Sequence, residues 1–280
     1  MYKLIACDID GTILRSDGSA SARTISAMRL AEKCGAKVSI ATGRRVAFAM
    51  PVISQFEIVQ PCVAHCGAVV FEPGSGSILM AKQIPRQAAL DVCNMAEDYG
   101  LYVAVFEDVH KGRAFYITRQ RIGVCTQPFW PHTLPECREG TTYTQACTSD
   151  PVQVGIQGDV ASVGRVLQEI GTAFSHDISF FDYGVLEDGT RLADLFATGV
   201  HKWVGISFLA DMWHIKPSEV IAFGDSMNDA QMLEYAGLGV AMGNSPDELK
   251  DLADLVAPAN DEDGVAMIIE SLARRELLGQ

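Results

Sequence analysis

The first predicted strand constrains this chain more than any other segment. Residues 4–7 are uncharged and lead directly into Asp8 and Asp10, which Gly11-Thr12 follow at once. A short apolar run that ends at a turn signal is typical of a strand buried on both faces, as in parallel sheets. Two carboxylates are costly in a core without partners. They either cap the next turn, as Asp before Gly often does, or lie at the ligand-binding edge of an open α/β sheet.

Two further apolar strands are predicted to end in small or polar residues. Residues 37–41 lead into Thr42-Gly43-Arg44, and residues 220–223 lead into residues 224–229, which read Gly-Asp-Ser-Met-Asn-Asp. A predicted amphipathic helix within residues 17–35 joins the first two strands, and this βαβ order predicts that they are parallel. Because the carboxyl ends of parallel strands gather along one edge, we expect these three loops to meet.

The rhythm of strands and helices divides the chain into two domains. Residues 1–82 and 191–280 alternate short apolar strands with helices, which predicts an α/β core with a doubly wound, mostly parallel sheet. Residues 83–190 contain alternating strand pairs, helices and an irregular stretch at 121–150. This segment is predicted to be an inserted α+β domain.

Composition limits the partners that the chain can bind. The formal net charge is −13, so a general basic surface for nucleic acid is not expected. No apolar run reaches the length of a membrane span and no signal-peptide pattern opens the chain, so we expect a cytoplasmic protein without a membrane partner. The eight cysteines include no Cys-x-x-Cys pair and are predicted to be reduced and structural. A metal site at Cys62 and Cys66 lacks the second half that it would need. The oligomeric state is left open.

The loop chemistry favours a cation and an anion in the same place. Clustered carboxylates repel one another, so without a cation some of them would have to bind protons. Oxygen ligands that include one or two carboxylates are what Mg²⁺ takes when it also binds a substrate phosphate. The glycine-bearing turns offer backbone N–H groups to an anion.

The order of these motifs resembles that of the haloacid-dehalogenase-like (HAD) hydrolases. The four matching motifs are Asp8-x-Asp10-Gly11-Thr12, Thr42-Gly43-Arg44, Lys202 and Gly224-Asp225-x-x-Asn228-Asp229. The large insertion and the tail at 239–244, 253–254 and 262–266 resemble the Cof-type sugar-phosphatase branch, in which a large C2-type cap domain selects the substrate.

The resemblance implies hydrolysis of a phosphate monoester through an aspartyl-phosphate. Asp8 would attack phosphorus, and Asp10 would protonate the leaving oxygen and then deprotonate water. Mg²⁺ would be held by Asp8, the backbone carbonyl of Asp10 and Asp225, with Asp229 directly behind them or acting through water. Asp229 is alternatively a cap of the helix that it begins.

The resemblance also implies which residues bind the phosphoryl oxygens and the substrate. Thr42, the Gly43 N–H, Lys202 and Asn228 would bind the phosphoryl oxygens. A lysine in a helix is ordinarily solvated, and only its place in the motif order assigns Lys202 this role. Arg44 would either contact the substrate or pair with a core acid.

Some positions depart from the family pattern or carry no assigned role. Trp203 stands where glycine is common, and Cys66 stands where asparagine is common. In the insertion, two groups of basic residues and two aromatic residues are candidates for reaching the substrate, although charge runs of this size usually form solvated faces and core packing is the more common use of such aromatic residues. They are His110-Lys111-Gly112-Arg113, Arg119-Gln120-Arg121, Phe129 and Trp130.

These observations predict a Mg²⁺-dependent phosphatase that acts on a small phosphorylated metabolite such as a sugar phosphate. One alternative is a phosphosugar mutase or phosphotransferase that uses the same site. The other is a phosphometabolite-binding protein that keeps the fold without turnover.

Overall fold

The structure is a computed structural model that describes residues 1–106, 115–118, 137–140, 147 and 149–279. It divides into two compact units, one formed by Met1–Met80 with His201–Gln280 and the other by Ala81–Val200. None of the helices in these ranges combines the length and apolar character that a membrane crossing requires.

Strands and helices alternate along most of the chain. The strands are β1 Leu4–Cys7, β2 Lys37–Ile40, β3 Cys62–Ala64, β4 Val69–Phe71, β5 Ile78–Ala81, β6 Tyr102–Phe106, β7 Phe115–Thr118, β8 Cys137–Gly140, β9 Gln153–Gly158, β10 Ile178–Val185, β11 Arg191–Ala197, β12 Val220–Gly224, β13 Leu238–Ala241 and β14 Leu255–Val256. The helices are α1 Ala22–Lys33, α2 Val46–Gln55, α3 Arg86–Asp98, α4 Val160–Ala173, α5 Lys202–Met212, α6 Ala230–Tyr235, α7 Asp247–Leu252 and α8 Gly264–Arg274.

The first unit is built on a parallel sheet in the order β14-β13-β12-β1-β2. Successive side chains of a strand point to opposite faces. Leu4 and Ala6 of β1 share a buried cluster with Leu209 of α5, whereas the buried Ile5 and Cys7 point to the other face. Helices α1 and α8 pack against each other, and α1 packs against β2. Helices therefore cover both faces of the sheet, which explains why its strands are continuously apolar.

The helix that joins β1 to β2, α1, lies within the predicted range 17–35. The Ser21 hydroxyl accepts a hydrogen bond from the backbone N–H of Thr24 (3.0 Å), which caps α1. Beyond β2, a parallel bridge from Ala41 to Val63 leads to a small sheet in the order β3-β4-β5. The predicted fold class, a doubly wound α/β core with a separate α+β domain, is confirmed.

The second unit is a sheet in the order β10-β11-β9-β6-β7-β8 with helices on one face. Neighbouring strands are antiparallel from β10 to β7, and β7 pairs with β8 in parallel. Its buried core joins alternate residues of the strands to the apolar stripes of α3 and α4, such as Val103 of β6, Leu195 of β11 and Val166 of α4.

One predicted boundary differs from the structure by about a strand. The sequence places residues 191–280 in the core, but β11 pairs with β9 and β10 and belongs to the second unit. The alternation of β11 indicates a strand with one buried face, which is unlike the continuously apolar strands of the core sheet and fits the sheet of the second unit. The other boundary, predicted after residue 82, lies after Met80.

Several predictions for the insertion concern residues outside the described ranges. These are the two basic groups at 110–113 and 119–121, together with Phe129 and Trp130. Within the stretch predicted to be irregular, Cys137–Gly140 forms strand β8. Its pairing with β7 is non-local, and short-range turn signals do not reveal such pairing.

Asp194 of β11 makes the second unit sensitive to pH. Burial raises the pKa of its carboxyl to about 6, although Gln153 and the hydroxyl of Tyr183, 3.2 Å from Asp194 Oδ2, act in the opposite direction. An unfolded aspartate titrates near 4, so between pH 4 and 6 the folded state holds a proton that the unfolded state has lost. The free energy of unfolding therefore falls as the pH rises through this window.

We predict that Asp194→Asn removes this loss. The difference in free energy of unfolding between the variant and the wild type should shift in favour of the variant by about 1–3 kcal/mol as the pH rises from 4 to 7. Urea titration at each pH measures this difference. Asp182→Asn is the matched control, because the guanidinium of Arg191 lowers the pKa of Asp182 and this variant should become relatively worse as the pH rises. A parallel pH dependence in all three proteins would contradict the prediction.

Candidate active site

Three loops lie side by side at the carboxyl edge of the parallel sheet. Because β2, β1 and β12 are neighbours, Thr42, Asp8 and Asp225 follow adjacent strands. The backbone N–H of Asp8 donates to the carbonyl of Phe223 (3.0 Å), which extends the pairing of β1 and β12 to the site itself. The position of Asp8 is therefore fixed by the sheet.

Lys202 forms ion pairs with one aspartate from the N-terminal segment of the core and one from its C-terminal segment. Its Nζ lies 2.8 Å from Oδ1 of Asp8 and 2.6 Å from Oδ1 of Asp229. Lys202 is 1% exposed, Asp8 is 5% exposed and Asp229 is fully buried. The alternative of a solvated helix residue is therefore wrong for Lys202, which is the first residue of α5.

The charges in this cluster do not balance. Burial opposes the charge on Lys202, but Asp229 and Asp8 outweigh it and raise the pKa of the ammonium. Burial raises the pKa of Asp8 well above its usual range; Lys202 counteracts this effect, and Asp229 adds to it. Burial and the charge of Asp229 also raise the pKa of Asp225 to about 6. One lysine thus faces three carboxylates.

The three carboxylates are close enough to share a cation. Within the described ranges, Asp8, Asp225 and Asp229 each offer an oxygen, and these oxygens lie within 4.8 Å of one another. The side chain of Asp10 is not part of this group, and neither are Cys62 and Cys66. The donor set consists of carboxylates, which suits a hard divalent cation.

Asp229 also holds the loop that carries Asp225. Its Oδ2 accepts hydrogen bonds from the backbone N–H groups of Asp225 and Ser226, both at 3.1 Å, while its Oδ1 faces Lys202. Asp229 therefore stabilises the turn that precedes α6, but its side chain makes no capping hydrogen bond to α6, the helix that it begins, so the capping alternative is wrong for that helix. Gly224 makes room for this arrangement, because a Cβ there would lie 2.4 Å from Asp229 Cγ.

Asp10 lies on a tight turn that glycine makes possible. Gly11 has φ +69°, and a Cβ at this position would lie 2.1 Å from Oδ2 of Asp225. The turn directs the side chain of Asp10 outward, where it is 56% exposed. The guanidinium of Arg44 donates two hydrogen bonds to this carboxylate, from Nε to Oδ2 (2.8 Å) and from Nη2 to Oδ1 (2.5 Å).

The sequence of the chain matches a known family over nearly its whole length. A sequence model of the haloacid dehalogenase-like hydrolases matches residues 5–269. The chain belongs to this family. The predicted resemblance is thereby confirmed.

Several proteins similar to this HAD hydrolase are named as phosphatases. It is 27% identical over 268 residues to the 5-amino-6-(5-phospho-D-ribitylamino)uracil phosphatase YitU of Bacillus subtilis, covering 95% of this chain and 96% of the relative. It is 27% identical over 276 residues to the pyridoxal phosphate phosphatase YbhA of Escherichia coli, covering 96% and 98%. The structure of the HAD phosphatase BT1666 from Bacteroides thetaiotaomicron matches with a TM-score of 0.80 at 26% identity, covering 99% of this chain and 96% of that one. The prediction of a phosphoric monoester hydrolase is confirmed.

The structure places the remaining predicted residues of the HAD site in the same loops. The Thr42 hydroxyl accepts from the backbone N–H of Arg44 (3.1 Å) and keeps its own hydrogen for another acceptor. Asn228 is half-buried, and its Oδ1 accepts from the Ser226 hydroxyl (2.8 Å). Gly43, next to Thr42, is also half-buried. The roles of these residues in phosphate binding stay predictions.

Trp203 and Cys66, the two departures from the HAD pattern, do not displace Lys202 from the site. The half-buried ring of Trp203 lies 6.2 Å from that of Tyr235, while the side chain of Lys202 is directed to the carboxylates. Cys66 is fully buried with φ +52°. The next residue, Gly67, carries the local constraint, because a Cβ there would lie 2.1 Å from the carbonyl oxygen of His201.

Two asparagines that brace the first loop were not assigned by sequence reasoning. Asn244 Nδ2 donates to the carbonyl of Gly11 (2.9 Å), and Asn260 Nδ2 donates to that of Leu14 (2.9 Å). The backbone N–H of Asn260 donates to Asn244 Oδ1 (3.0 Å), which joins the two. Asn244 lies shortly after strand β13 and directly after a glycine. A polar residue shortly after an apolar strand also marks the other site loops, so this pattern could have identified Asn244, whereas no local pattern distinguishes Asn260.

We predict that Lys202→Met destabilises the HAD core strongly. Loss of the cation leaves Asp8 and Asp229 buried without compensation, which should cost about 3–5 kcal/mol in chemical unfolding at pH 8 in EDTA. The loss should shrink at pH 5, because the carboxylates can then bind a proton. Lys250→Met is the control, since Lys250 lies 3.9 Å from an exposed carboxylate. Equal stability of the two variants at pH 8 would contradict the role of Lys202.

We predict that Gly67→Ala is damaging whereas Gly74→Ala is not. At Gly67 the positive φ of +108° and the contact with the His201 carbonyl both oppose a Cβ, whereas at Gly74 nothing lies within 4 Å. Gly67→Ala should lower the free energy of unfolding by more than about 1 kcal/mol and reduce activity, because the start of α5 positions Lys202. Gly74→Ala should change stability by less than about 1 kcal/mol. Thermal unfolding of the pair is the measurement, and equal melting temperatures would refute it.

Proposed function

We propose that this HAD phosphatase hydrolyses a small phosphorylated metabolite, expected to be a sugar phosphate, through an aspartyl-phosphate with Mg²⁺ as cofactor. The observation that carries the proposal is the buried Lys202 ammonium 2.8 Å from Asp8 at the edge of the sheet. A buried carboxylate held by a cation at a ligand-binding edge is suited to react with an anionic substrate.

Asp8 is proposed as the nucleophile. One of its carboxylate oxygens would form a bond to phosphorus while the bond from phosphorus to the ester oxygen breaks. A carboxylate and a phosphoryl dianion repel each other, so the reaction requires positive charge beside both. Lys202 supplies one such charge from a fixed position, since Asp8 and Asp229 hold its ammonium on two sides.

The residues of the site fit a magnesium ion. Asp8, Asp225 and Asp229 together carry more negative charge than Lys202 alone can offset. Asp8 and Asp225 would hold the ion together with the backbone carbonyl of Asp10, while Asp229, whose oxygens face protein donors, supports the set or binds through water. When bound, Mg²⁺ would offset the charge of the phosphoryl oxygens.

Asp10 is proposed as the acid and base of the two half-reactions. It would give a proton to the departing oxygen of the substrate as the ester bond breaks. It would then take a proton from the water whose oxygen attacks the aspartyl-phosphate, which restores its initial state. Thr42, the Gly43 N–H, Lys202 and Asn228 would bind the phosphoryl oxygens that do not react.

The relatives support a small substrate. The names of two of them describe phosphatases of a phosphorylated ribitylaminouracil and of pyridoxal phosphate. Both are small molecules that carry a phosphate, which agrees with the class proposed from the site. They belong in the substrate panel beside the sugar phosphates.

The proposal is tested by phosphate release from this panel, with and without Mg²⁺. We expect Asp8→Asn and chelation by EDTA each to lower turnover by at least about 10³-fold, since nucleophile and cation act on the same bond. Asp17→Asn, an exposed aspartate that accepts from Ser19, is the control and should retain activity.

Three outcomes would reject all or part of the proposal. Turnover that survives Asp8→Asn would exclude the aspartyl-phosphate. Conversion of a sugar phosphate to an isomer without release of inorganic phosphate would favour the mutase alternative. Binding without any turnover of the panel would favour a non-catalytic role.

A further inference from the structure

The pair formed by Arg44 and Asp10 does not follow from the proposed chemistry alone. Acid and base catalysis requires a carboxyl group, and this one is held by both oxygens in the fork of a guanidinium. A fork of two parallel hydrogen bonds is among the strongest and most directional polar contacts in proteins. It fixes the plane of the carboxylate as well as its position.

Arg44 is itself anchored on the core. Its backbone N–H donates to the Thr42 hydroxyl (3.1 Å), and its Nη1 donates to the carbonyl of Phe48 (3.3 Å). Its side chain is 22% exposed, compared with 56% for that of Asp10. The arginine is thus the held partner, and the aspartate is the one that is positioned.

An exposed aspartate would otherwise sample several side-chain rotamers. Proton transfer requires a heavy-atom separation of about 2.6–3.2 Å in the correct direction, so such freedom lowers the rate. Each carboxylate oxygen has two lone pairs, and Arg44 uses one on each. A remaining lone pair can hold the proton that passes to the departing oxygen, and once that proton has left it can accept one from the attacking water.

We propose that Arg44 is a positioning residue, which holds the carboxyl group of Asp10 in one orientation for both proton transfers. This inference rests on the proposed function. It chooses between the two alternatives that the sequence leaves open for Arg44: the arginine pairs with an acid, and that acid is Asp10 itself. Arg44 would then act on the reaction through Asp10 rather than by binding the substrate.

A series of three esters tests the inference through the leaving group. p-Nitrophenyl phosphate, phenyl phosphate and benzyl phosphate have similar size, but their leaving oxygens need an increasing degree of protonation. We expect Arg44→Ala to lower kcat/KM about 10- to 100-fold for benzyl phosphate and no more than about threefold for p-nitrophenyl phosphate. Arg44→Lys keeps the charge but not the fork and should recover only part of the loss.

A double-mutant cycle tests whether Arg44 acts through Asp10. In the Asp10→Asn background, Arg44→Ala should cause no further loss in kcat/KM for benzyl phosphate. Arg23→Ala is the matched control, because Arg23 makes the same forked contact with Glu270 (2.9 and 2.8 Å) between α1 and α8. It should leave the dependence on the leaving group unchanged.

Each outcome decides the matter. An equal loss for all three esters, or a further loss in the Asp10→Asn background, would show that Arg44 binds the phosphate or supports the fold, and would overturn the inference alone. If the wild-type protein with Mg²⁺ hydrolyses none of the three esters, the proposed function fails, and the inference fails with it.

Discussion

The contact between Lys202 and Asp8 is the interaction on which the rest of the site depends. An ammonium and a carboxylate that are almost completely buried are stable only together, since either alone would carry an uncompensated charge. The pair joins the first strand of the core to a helix that begins nearly two hundred residues later. The contact therefore requires both segments of the core to be in place, and the whole second unit lies between the two partners in sequence.

Backbone hydrogen bonds and glycines, as well as the charge of Lys202, allow three carboxylates to lie next to one another. Asp229 accepts from two N–H groups of its own loop, and Gly11 and Gly224 allow close approaches that a Cβ would prevent. The asparagines behind the first loop hold its carbonyls in the same way. Three neighbouring carboxylates against one lysine still leave negative charge unbalanced, which is the physical argument for a cation.

Much of the fold and the site could be predicted because both follow local patterns. The apolar strands, the polar loops at their ends and the order of the motifs identify the edge where Asp8, Thr42 and Asp225 meet. The sequence assigns β11 to the core rather than to the second unit because short strands and helices alternate again from residue 191, although Asp194 within this strand is unlike the continuously apolar strands of the core sheet. The brace formed by Asn260 was beyond prediction, since its partners are carbonyl groups in the first loop, far away in sequence.

The sequence by itself determined the family, the class of reaction and the residues that carry charge, because these depend on residue types in a fixed order. Tertiary structure decided how those residues share the work. It showed that Lys202 is buried rather than solvated, that Asp229 holds both the lysine and a loop, and that the partner of Arg44 is Asp10. The physical reason is that burial and hydrogen-bond partners are properties of three-dimensional neighbours. A linear pattern names the groups, and only packing sets the distances between them.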